Sequence, residues 1–272
     1  MNKIMIVGHG FVGKAVEYGF STINSKISVV DPLLNNTISD FDGYDFDVAF
    51  VCVPTPFGKD KSVDASIVCD VVEQLKKFNC LIVIKSTITP DIAKSLADEN
   101  DNVVYNPEFL MERSANIDFI NPPFHVFGGN IESCERLLYV YNSSSRCAPA
   151  PHYIVSAQEA SFVKYGINSF LASKVLWFNQ FRDIVDNHGA NYESIINVIG
   201  SDPRIGRSHS QVPGPDNRRG YGGACFPKDT NAFSQFADGQ FEVLNTIIEL
   251  NNNYRKQYDL DDREKEQKVQ YD

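Results

Sequence analysis

A glycine-rich turn near the start of this 272-residue chain restricts its possible folds more than any other segment. Residues Gly8–Gly13 read G-x-G-x-x-G and follow an apolar run, Lys3–Val7, while a helix-like segment, Phe11–Phe20, comes next. A strand followed by such a turn and a helix is the phosphate-binding start of a Rossmann-type fold. The first part of the chain is therefore predicted to be a dinucleotide-binding α/β domain.

The residues of the turn predict how a dinucleotide would be held. Gly8 permits the tight turn, Gly10 lets the backbone approach a pyrophosphate, and Gly13 lets the helix pack closely on the strand. Free N–H groups at the start of the helix, around Phe11 and Val12, would bind the phosphates. A tight turn that holds no ligand is the structural alternative.

An acidic residue after the next apolar run predicts which dinucleotide binds. Asp31 follows Ile27–Val30 and lies 18 residues beyond Gly13. A carboxylate there can accept hydrogen bonds from both ribose hydroxyls and would repel a 2′-phosphate. The predicted cofactor is therefore NAD rather than NADP.

Alternating apolar and helix-like segments continue through the first half and predict the fold class. Unbroken apolar strands between helices indicate a parallel sheet that is covered on both faces. We predict an α/β fold with a Rossmann-type doubly wound parallel sheet. The predicted strands are Lys3–Val7, Ile27–Val30, Asp47–Val53, Cys80–Ile84, Asn102–Tyr105 and His125–Phe127, and the predicted helices include Phe11–Phe20, Ser66–Lys77 and Pro90–Glu99.

The second half has a helical pattern. Ser156–Asn187 carries apolar residues at helical spacing without a proline, which predicts one long central helix of about 48 Å. Its apolar residues exceed what one face needs, so we expect a homodimer along it. A helix at Tyr192–Gly200, a loop at Ser201–Pro227 and renewed helix at Asp229–Tyr258 should follow. The predicted domains are residues 1–152 for NAD binding, 153–258 for a helical, dimerising domain, and 259–272 for a charged, frayed tail.

Composition excludes some functions. The net charge is −10, which argues against general nucleic-acid binding because that needs a basic surface. The six cysteines form no C-x-x-C pair, so no metal site is predicted, and we expect most of them to be reduced and buried. Neither a leader segment nor a membrane span is evident from the sequence, and a cytoplasmic protein is expected.

Two segments carry candidate polar chemistry. Glu108 and Glu112 lie four residues apart, on one face if that segment is helical, and paired carboxylates near a cofactor suit proton transfer. Two acids at a solvated helix start are the alternative. Lys164 and Asn168 share one face of the long helix, and Lys174 lies further along it. A lysine there can also be an ordinary surface residue whose stem covers apolar groups.

A cysteine in a polar, glycine-rich turn is the candidate nucleophile. Cys225 follows Gly222 and Gly223 and precedes Pro-Lys-Asp. The glycines let a ligand approach the backbone, and Lys228 could favour the thiolate. Asp229 could simply cap the following helix.

Taken together, these segments resemble the UDP-glucose/GDP-mannose dehydrogenase family. Seven motifs occur in the same order over most of the chain: GHGFVG at Gly8–Gly13, VPTP at Val53–Pro56, KSTI at Lys85–Ile88, NPEFLMERSA at Asn106–Ala115, the helix with Lys164 and Asn168, DPRIG at Asp202–Gly206, and GYGGACFPKDT at Gly220–Thr230.

The resemblance implies a four-electron oxidation in which the C6 alcohol of a nucleotide sugar becomes a carboxylate and two NAD are reduced. UDP-glucose is the expected substrate, with GDP-mannose and UDP-N-acetylmannosamine as alternatives. Cys225 resembles the family nucleophile, which forms a thiohemiacetal and then a thioester. Lys164 is similar to the family lysine that stabilises oxyanions.

The resemblance also implies further site residues. Asn168, Asp229 and Thr87 would hold a catalytic water and the sugar hydroxyl, and Glu112, with its companion Glu108, would serve as the base in thioester hydrolysis. The implied cofactor contacts are Pro54, Thr55, Ser86 and Thr87, besides the glycine turn and Asp31. The implied substrate contacts are Phe109, Leu110, Glu112, Lys164, Asn168, Arg204, Gly222 and Lys228, with Arg204 reaching in from a partner subunit.

The chain departs from the family in length. The resemblance implies a family length of about 400 residues or more, with a further α/β domain that binds the nucleotide, and we expect this chain to lack that domain. The chain would then be a naturally short enzyme, a truncated one, or one whose partner supplies that domain. Arg218 and Arg219 could bind a diphosphate instead, with solvated loop arginines as the alternative. Two other functions stay open: a two-electron β-hydroxyacid dehydrogenase, which would not need Cys225, and a non-catalytic NAD-binding subunit.

Overall fold

The computed structural model describes residues 1–58 and 61–272. The chain divides into two compact units, of which the first comprises Met1–Thr55 and Asp64–Lys164, and the second comprises Pro56–Val63 and Tyr165–Asp272. Among the described residues, no helix has both the length and the apolar character that crossing a membrane requires.

The first unit contains one sheet with helices between its strands. Its described elements are β1 (Asn2–Val7), α1 (Phe11–Phe20), β2 (Ser25–Val30), β3 (Val48–Val51), α2 (Ser66–Leu75), β4 (Leu81–Ile84), α3 (Pro90–Glu99), β5 (Val103–Tyr105), α4 (Ala115–Ile120), β6 (His125–Gly129), α5 (Ile131–Ser144) and β7 (His152–Val155). The strand order is β2-β1-β3-β4-β5-β6-β7. The predicted Rossmann-type fold is therefore confirmed.

The order of the strands places a binding crevice. The chain moves outward from β1 to β2 on one side and to β3 on the other, and all these pairs are parallel. Ligands of such sheets bind outside the carboxyl ends of the strands where the order reverses. That edge carries the glycine turn after β1 and Asp31 after β2.

The sheet differs from the fully parallel prediction at one pair. Strands β5 and β6 are antiparallel, and β7 was not predicted. A parallel strand needs a long crossover over the sheet. Helix α4 has only six residues and packs on α1, where the Phe119 ring lies against Gly19, so the chain re-enters the sheet from the same edge.

The core of the first unit lies between the sheet and α1, α4 and α5. Its fully buried side chains include Ile4 and Ile6 of β1, Phe50 of β3 and Phe20 of α1. The rings of Phe20 and Phe50 have centroids 5.0 Å apart. Burial of this apolar surface stabilises the sheet that carries the crevice.

The second unit is helical. Helix α6 (Ala157–Asn187) runs for 31 residues, which confirms the predicted long helix, and the division between the units falls within it, after Lys164. It is followed by α7 (Tyr192–Ile199), α8 (Phe226–Phe236), α9 (Glu242–Arg255) and α10 (Asp262–Glu266). The predicted helix at Asp229–Tyr258 is interrupted at Asp238 and Gly239, which have positive φ angles.

The charged segment 259–272, whose fraying stays a prediction, contains the short helix α10. Helix α10 begins with a capping box between Asp261 and Glu264, and Val269 is buried. Glu264 forms a fully buried ion pair with Arg255 at 2.7 Å. The segment lacks an apolar face, so the sequence pattern could not reveal that a buried charge pair would hold it.

The cysteine prediction is confirmed in part. All six cysteines are free, and three of them, Cys52, Cys80 and Cys134, are buried. Cys69 is exposed, whereas Cys147 and Cys225 are half-buried. Burial raises the pKa of the Cys52 thiol to about 12, so this cysteine is a poor nucleophile.

Candidate active site

The glycine turn fits a dinucleotide pyrophosphate. Gly8 has a φ of +90°, which favours glycine, and a Cβ on Gly13 would lie 2.0 Å from the Gly8 carbonyl oxygen. Nothing lies within 4 Å of the Cβ position of Gly10, so this residue leaves open space beside the backbone. Gly10 is the N-cap of α1 and provides no side-chain cap, and the first turn of α1 holds no acid. The N–H groups at Phe11 and Val12 are therefore well suited to hold a phosphate.

Asp31 lies beside this turn at the end of β2. One carboxylate oxygen accepts a hydrogen bond from the His9 N–H at 2.7 Å, and the other accepts from the Leu33 N–H at 2.9 Å. A carboxylate has about four acceptor positions, so ribose hydroxyls can still bind. The fixed carboxylate is consistent with the preference for NAD over NADP.

Residues after β3 and β4 complete this edge of the sheet. Thr55, Ser86 and Thr87 are buried, whereas Pro54 is exposed. The Ser86 hydroxyl donates to the Val53 carbonyl oxygen at 2.7 Å, so this side chain joins the two strand ends. Their role as cofactor contacts stays a prediction.

Lys164 and Glu108 form a buried ion pair within the first unit. The Lys164 Nζ lies 2.7 Å from Glu108 Oε1 and also donates to the Glu108 carbonyl oxygen at 2.6 Å. The same ammonium lies 5.5 Å from the centroid of the Phe109 ring. Both charged side chains are less than a tenth exposed, so the pair is shielded from water and its geometry is defined.

The two glutamates do not share a helix face, contrary to the prediction for a helical segment. Residues 106–111 form no helix. The Leu110 N–H donates to Glu108 at 2.6 Å and the Met111 N–H donates to Asp118 at 2.9 Å, so side chains take the place of helical hydrogen bonds. Glu108 is buried, whereas Glu112 is exposed in a 3₁₀ turn.

A buried polar cluster beneath this segment was not singled out from the sequence. The Lys85 Nζ donates to the Asn106 side-chain oxygen at 3.1 Å, and the Tyr141 hydroxyl donates to the same oxygen at 2.8 Å. Burial lowers the pKa of Lys85 to about 8, and burial together with the Lys85 charge lowers the pKa of His125 to about 4. These residues, with Phe119, line a cavity of about 30 Å³. The cluster fixes Asn106, the first residue of the segment that carries Glu108.

Cys225 stands at the N-terminus of α8 in the second unit. It is the N-cap residue, it is half-buried, and its carbonyl oxygen accepts the Asp229 N–H at 2.8 Å. The partial positive charge at a helix N-terminus stabilises an anion such as a thiolate. The predicted nucleophile is therefore in a position that suits covalent chemistry.

Asp229 links two other predicted residues in the second unit. One carboxylate oxygen accepts from the Asn168 amide at 2.6 Å, and the other lies 2.6 Å from the Lys228 Nζ. All three side chains are buried. Asp229 therefore does more than cap α8, and its charge is balanced by the adjacent lysine.

The predicted substrate arginines are engaged within the chain. Arg204 is highly exposed and pairs with Asp202 at 2.6 Å. Arg219 pairs with Asp183 at 2.8 Å, and Arg218 donates to the Asp259 carbonyl oxygen at 2.7 Å. Arg218 and Arg219 therefore form contacts within the second unit and are not simply solvated.

Gly222, a predicted substrate contact, also has a structural role. A Cβ there would lie 2.2 Å from an Arg255 guanidinium nitrogen. The rings of Phe109 and Phe124 have centroids 5.1 Å apart, and Leu110 packs against the core of the first unit. Substrate binding by these residues stays a prediction.

Comparisons with known proteins match both halves of the chain to one family. Residues 158–253 match the model of the UDP-glucose/GDP-mannose dehydrogenase family, central domain, and residues 33–144 match that family's NAD binding domain. Together the two matches cover about three quarters of the chain. The second range begins after the glycine turn, so the turn supports NAD binding independently.

Individual relatives agree with the family models. The chain is 34% identical to the UDP-glucose 6-dehydrogenase of Rickettsia prowazekii over 76% of this chain and 49% of that protein. A UDP-glucose dehydrogenase structure from Pyrobaculum islandicum superposes with a TM-score of 0.76 at 26% identity, covering 93% of this chain and 68% of that one. The chain spans about half the length of the curated relatives it matches.

A second enzyme class shares the fold alone. The structure of Mycobacterium tuberculosis 3-hydroxyisobutyrate dehydrogenase superposes with a TM-score of 0.67 at 15% identity, covering 91% of each chain. At that identity the likeness concerns architecture and not chemistry.

Proposed function

Because the chain belongs to the UDP-glucose/GDP-mannose dehydrogenase family, we propose that it oxidises the C6 alcohol of a nucleotide sugar to a carboxylate with NAD. UDP-glucose is the proposed substrate, with GDP-mannose and UDP-N-acetylmannosamine as alternatives. The observation that carries the proposal is the position of Cys225, half-buried at the N-terminus of α8 and one turn before the buried Asp229. A two-electron hydroxyacid dehydrogenase has no need for a thiol at this position.

The glycine turn, the start of α1 and Asp31 would hold the cofactor. When bound, NAD would be the electron acceptor in each of the two oxidations. The open space at Gly10 admits the pyrophosphate, and the N–H groups of the first turn of α1 orient it. The Asp31 carboxylate, held by two backbone N–H groups, orients the ribose.

Cys225 would perform the covalent chemistry. Its sulfur adds to the C6 carbon of the aldehyde, and the thiohemiacetal is oxidised to a thioester. Water then adds to the thioester carbon, the C–S bond breaks, and the carboxylate and the free thiol are released. The start of α8 stabilises the sulfur as the leaving thiolate.

Charged and polar side chains would stabilise the oxyanions that form during these reaction steps and would transfer the protons. The buried Lys164 ammonium would stabilise an oxyanion electrostatically, and its ion pair with Glu108 fixes the position of the ammonium. Asn168 and Asp229 would orient the sugar hydroxyl or the attacking water, together with Thr87. Glu112, exposed in its 3₁₀ turn, is the proposed base for hydrolysis, and Lys228 and Arg204 are proposed substrate contacts.

We propose a homodimer as the active form. Phe170, Trp177 and Ile184 of α6 are each more than half exposed and follow one another at seven-residue spacing, so they lie on one helix face. Burying such an apolar face against a second copy would remove it from water.

A partner-dependent function is the second candidate. The chain spans about half the length of the curated relatives it matches, and in this candidate a second protein contributes to the nucleotide site. The chain would then bind NAD by itself and oxidise a sugar only with that partner.

The test is NADH formation by the purified chain with the three nucleotide sugars in parallel. We expect two NADH per sugar consumed with one substrate, and no acid product from Cys225→Ser. Exposed Cys69→Ser is the matched control and should keep full activity. One NADH per sugar that survives Cys225→Ser would indicate the two-electron chemistry instead. NAD binding without turnover of any sugar would favour the partner-dependent function.

A further inference from the structure

A cluster of buried charge in the second unit lies outside the residues proposed above. Arg255, at the end of α9, and Glu264, in α10, are both fully buried and form an ion pair at 2.7 Å. This pair uses Arg255 Nη2, whereas Arg255 Nη1 lies 2.7 Å from Asp216 Oδ2. Arg218 Nη1 lies 3.7 Å from Glu264 Oε2. Two acids and two arginines thus balance one another, with Arg255 and Glu264 fully buried and Asp216 and Arg218 half-buried.

The cluster contacts the loop that leads to Cys225. The Gly223 N–H donates to Glu264 Oε1 at 3.3 Å, and this is the oxygen that also accepts from Arg255. At Gly222 a Cβ would lie 2.5 Å from the same Glu264 oxygen, so the loop backbone lies directly against the ion pair. Glu264 therefore contacts the chain two residues before the nucleophile.

Glu264 itself is held from several directions. The Tyr271 hydroxyl donates to Oε1 at 2.7 Å, and the Asp261 N–H donates to Oε2 at 2.9 Å. The backbone of the same loop is held further back by Asn251, whose side chain accepts from the Tyr221 N–H at 2.7 Å and donates to the Tyr221 carbonyl oxygen at 3.0 Å. The contact with Gly223 is therefore made by a carboxylate with little freedom to move.

We propose that Glu264 is a positioning residue for the nucleophile, because its contact with Gly223 fixes Cys225 at the first turn of α8. The proposal rests on the role of Cys225 in the proposed function. The field of a helix terminus falls off within one turn, so a small displacement of the loop reduces the stabilisation of a thiolate at Cys225. Segment 259–272 thereby contributes to catalysis without touching the substrate.

The test measures alkylation of Cys225 by iodoacetamide as a function of pH in the full chain, with peptide-level mass spectrometry. Neither NAD nor a sugar is present, so the result is independent of turnover. We expect Glu264→Gln to lower the Cys225 rate at pH 7 about two- to fivefold and to move its pH curve upwards. The rate at exposed Cys69 should stay unchanged and serves as an internal reference.

Glu266→Gln is the matched control, since Glu266 is exposed on the same short helix and should leave the Cys225 curve unchanged. Tyr271→Phe removes one hydrogen bond to Glu264 and leaves every charge paired, and it should shift the curve in the same direction by a smaller amount. A folded Glu264→Gln with the wild-type Cys225 curve would overturn the proposal. If Glu264→Gln does not fold, a folded Tyr271→Phe with the wild-type curve would overturn it equally. A shifted curve in a chain that oxidises no sugar would support positioning and count against the proposed function alone.

Discussion

At the residue scale, three buried lysines that look alike in the sequence differ in the partners of their ammonium groups. Lys164 pairs with Glu108 and Lys228 pairs with Asp229, whereas Lys85 has the neutral amide of Asn106 as its hydrogen-bond partner. Burial lowers the pKa of Lys85 to about 8, against an ordinary value of 10.5. The partners of Lys85 come from distant parts of the chain, so no local pattern indicates its state.

The lowered pKa predicts how Lys85 affects stability. The unfolded lysine keeps its proton up to about pH 10.5 and the folded one up to about pH 8, so between these values the unfolded chain binds more protons. The charged Lys85 therefore costs stability below pH 8, and this cost disappears as the pH rises to 10.5. We expect Lys85→Met to raise the free energy of unfolding at pH 7 by about 1–3 kcal/mol. Urea unfolding checks this.

The comparison across pH isolates Lys85 from its neighbours. Cys52, Cys147, Glu108 and Lys164 contribute to its electrostatic environment and are present in both proteins. The gain from Lys85→Met should shrink between about pH 8 and pH 10.5, whereas Lys94→Met, an exposed control, should stay within about 0.5 kcal/mol of wild type. A Lys85→Met chain that is less stable than wild type at pH 7 would contradict the expectation.

At the scale of elements, local patterns predicted most strands and helices of the first unit. The turn Gly8–Gly13 and the long α6 were predicted because their glycine spacing and apolar periodicity are properties of short stretches of sequence. The segment 106–111 was different. Side chains of Glu108 and Asp118 bind its backbone N–H groups there, and this competition with helical hydrogen bonds depends on tertiary contacts.

At the strand–turn–helix unit Asn2–Phe20, a substitution of Gly10 should weaken NAD binding with little change in the stability of the fold. Gly10→Ala places a methyl group in open space beside the proposed pyrophosphate position. We expect the NAD dissociation constant to rise at least about tenfold, with a change in stability below about 1 kcal/mol. Calorimetric titration and thermal unfolding measure the two effects.

Gly166→Ala provides the control for Gly10→Ala. Its Cβ position in α6 is also open, so alanine should be accepted there and should stabilise the helix by about 0.5–1 kcal/mol without affecting NAD binding. Unchanged NAD affinity in Gly10→Ala would show that the pyrophosphate does not lie against this turn.

At the scale of the whole molecule, α6 carries a row of large apolar side chains that are more than half exposed. Phe170 and Trp177 are 69% and 54% exposed, and the Trp177 ring stacks on Phe181 at 4.9 Å. We expect a dimer at micromolar concentration and a monomer for Trp177→Glu, because a charge would then be buried in an apolar contact. Light scattering after size-exclusion chromatography measures the mass.

Gln240→Glu is the control for this experiment, since it adds the same charge at an exposed residue between α8 and α9. It should remain dimeric. A wild-type chain that is monomeric at micromolar concentration would exclude the proposed dimer, and a dimeric Trp177→Glu would place the interface elsewhere.

The Rossmann-type fold, the glycine turn, the long helix and the family were predictable from the residues, because each depends on residue types at short, regular spacing. The burial of particular charges and their pairing emerge only when the chain folds. Glu264 illustrates the difference. Segment 259–272 has no apolar periodicity, yet it contains a buried carboxylate whose partners are Arg255 and Tyr271. The cost of burying a charge depends on partners brought together only by folding, so such pairs have no signature in the local sequence.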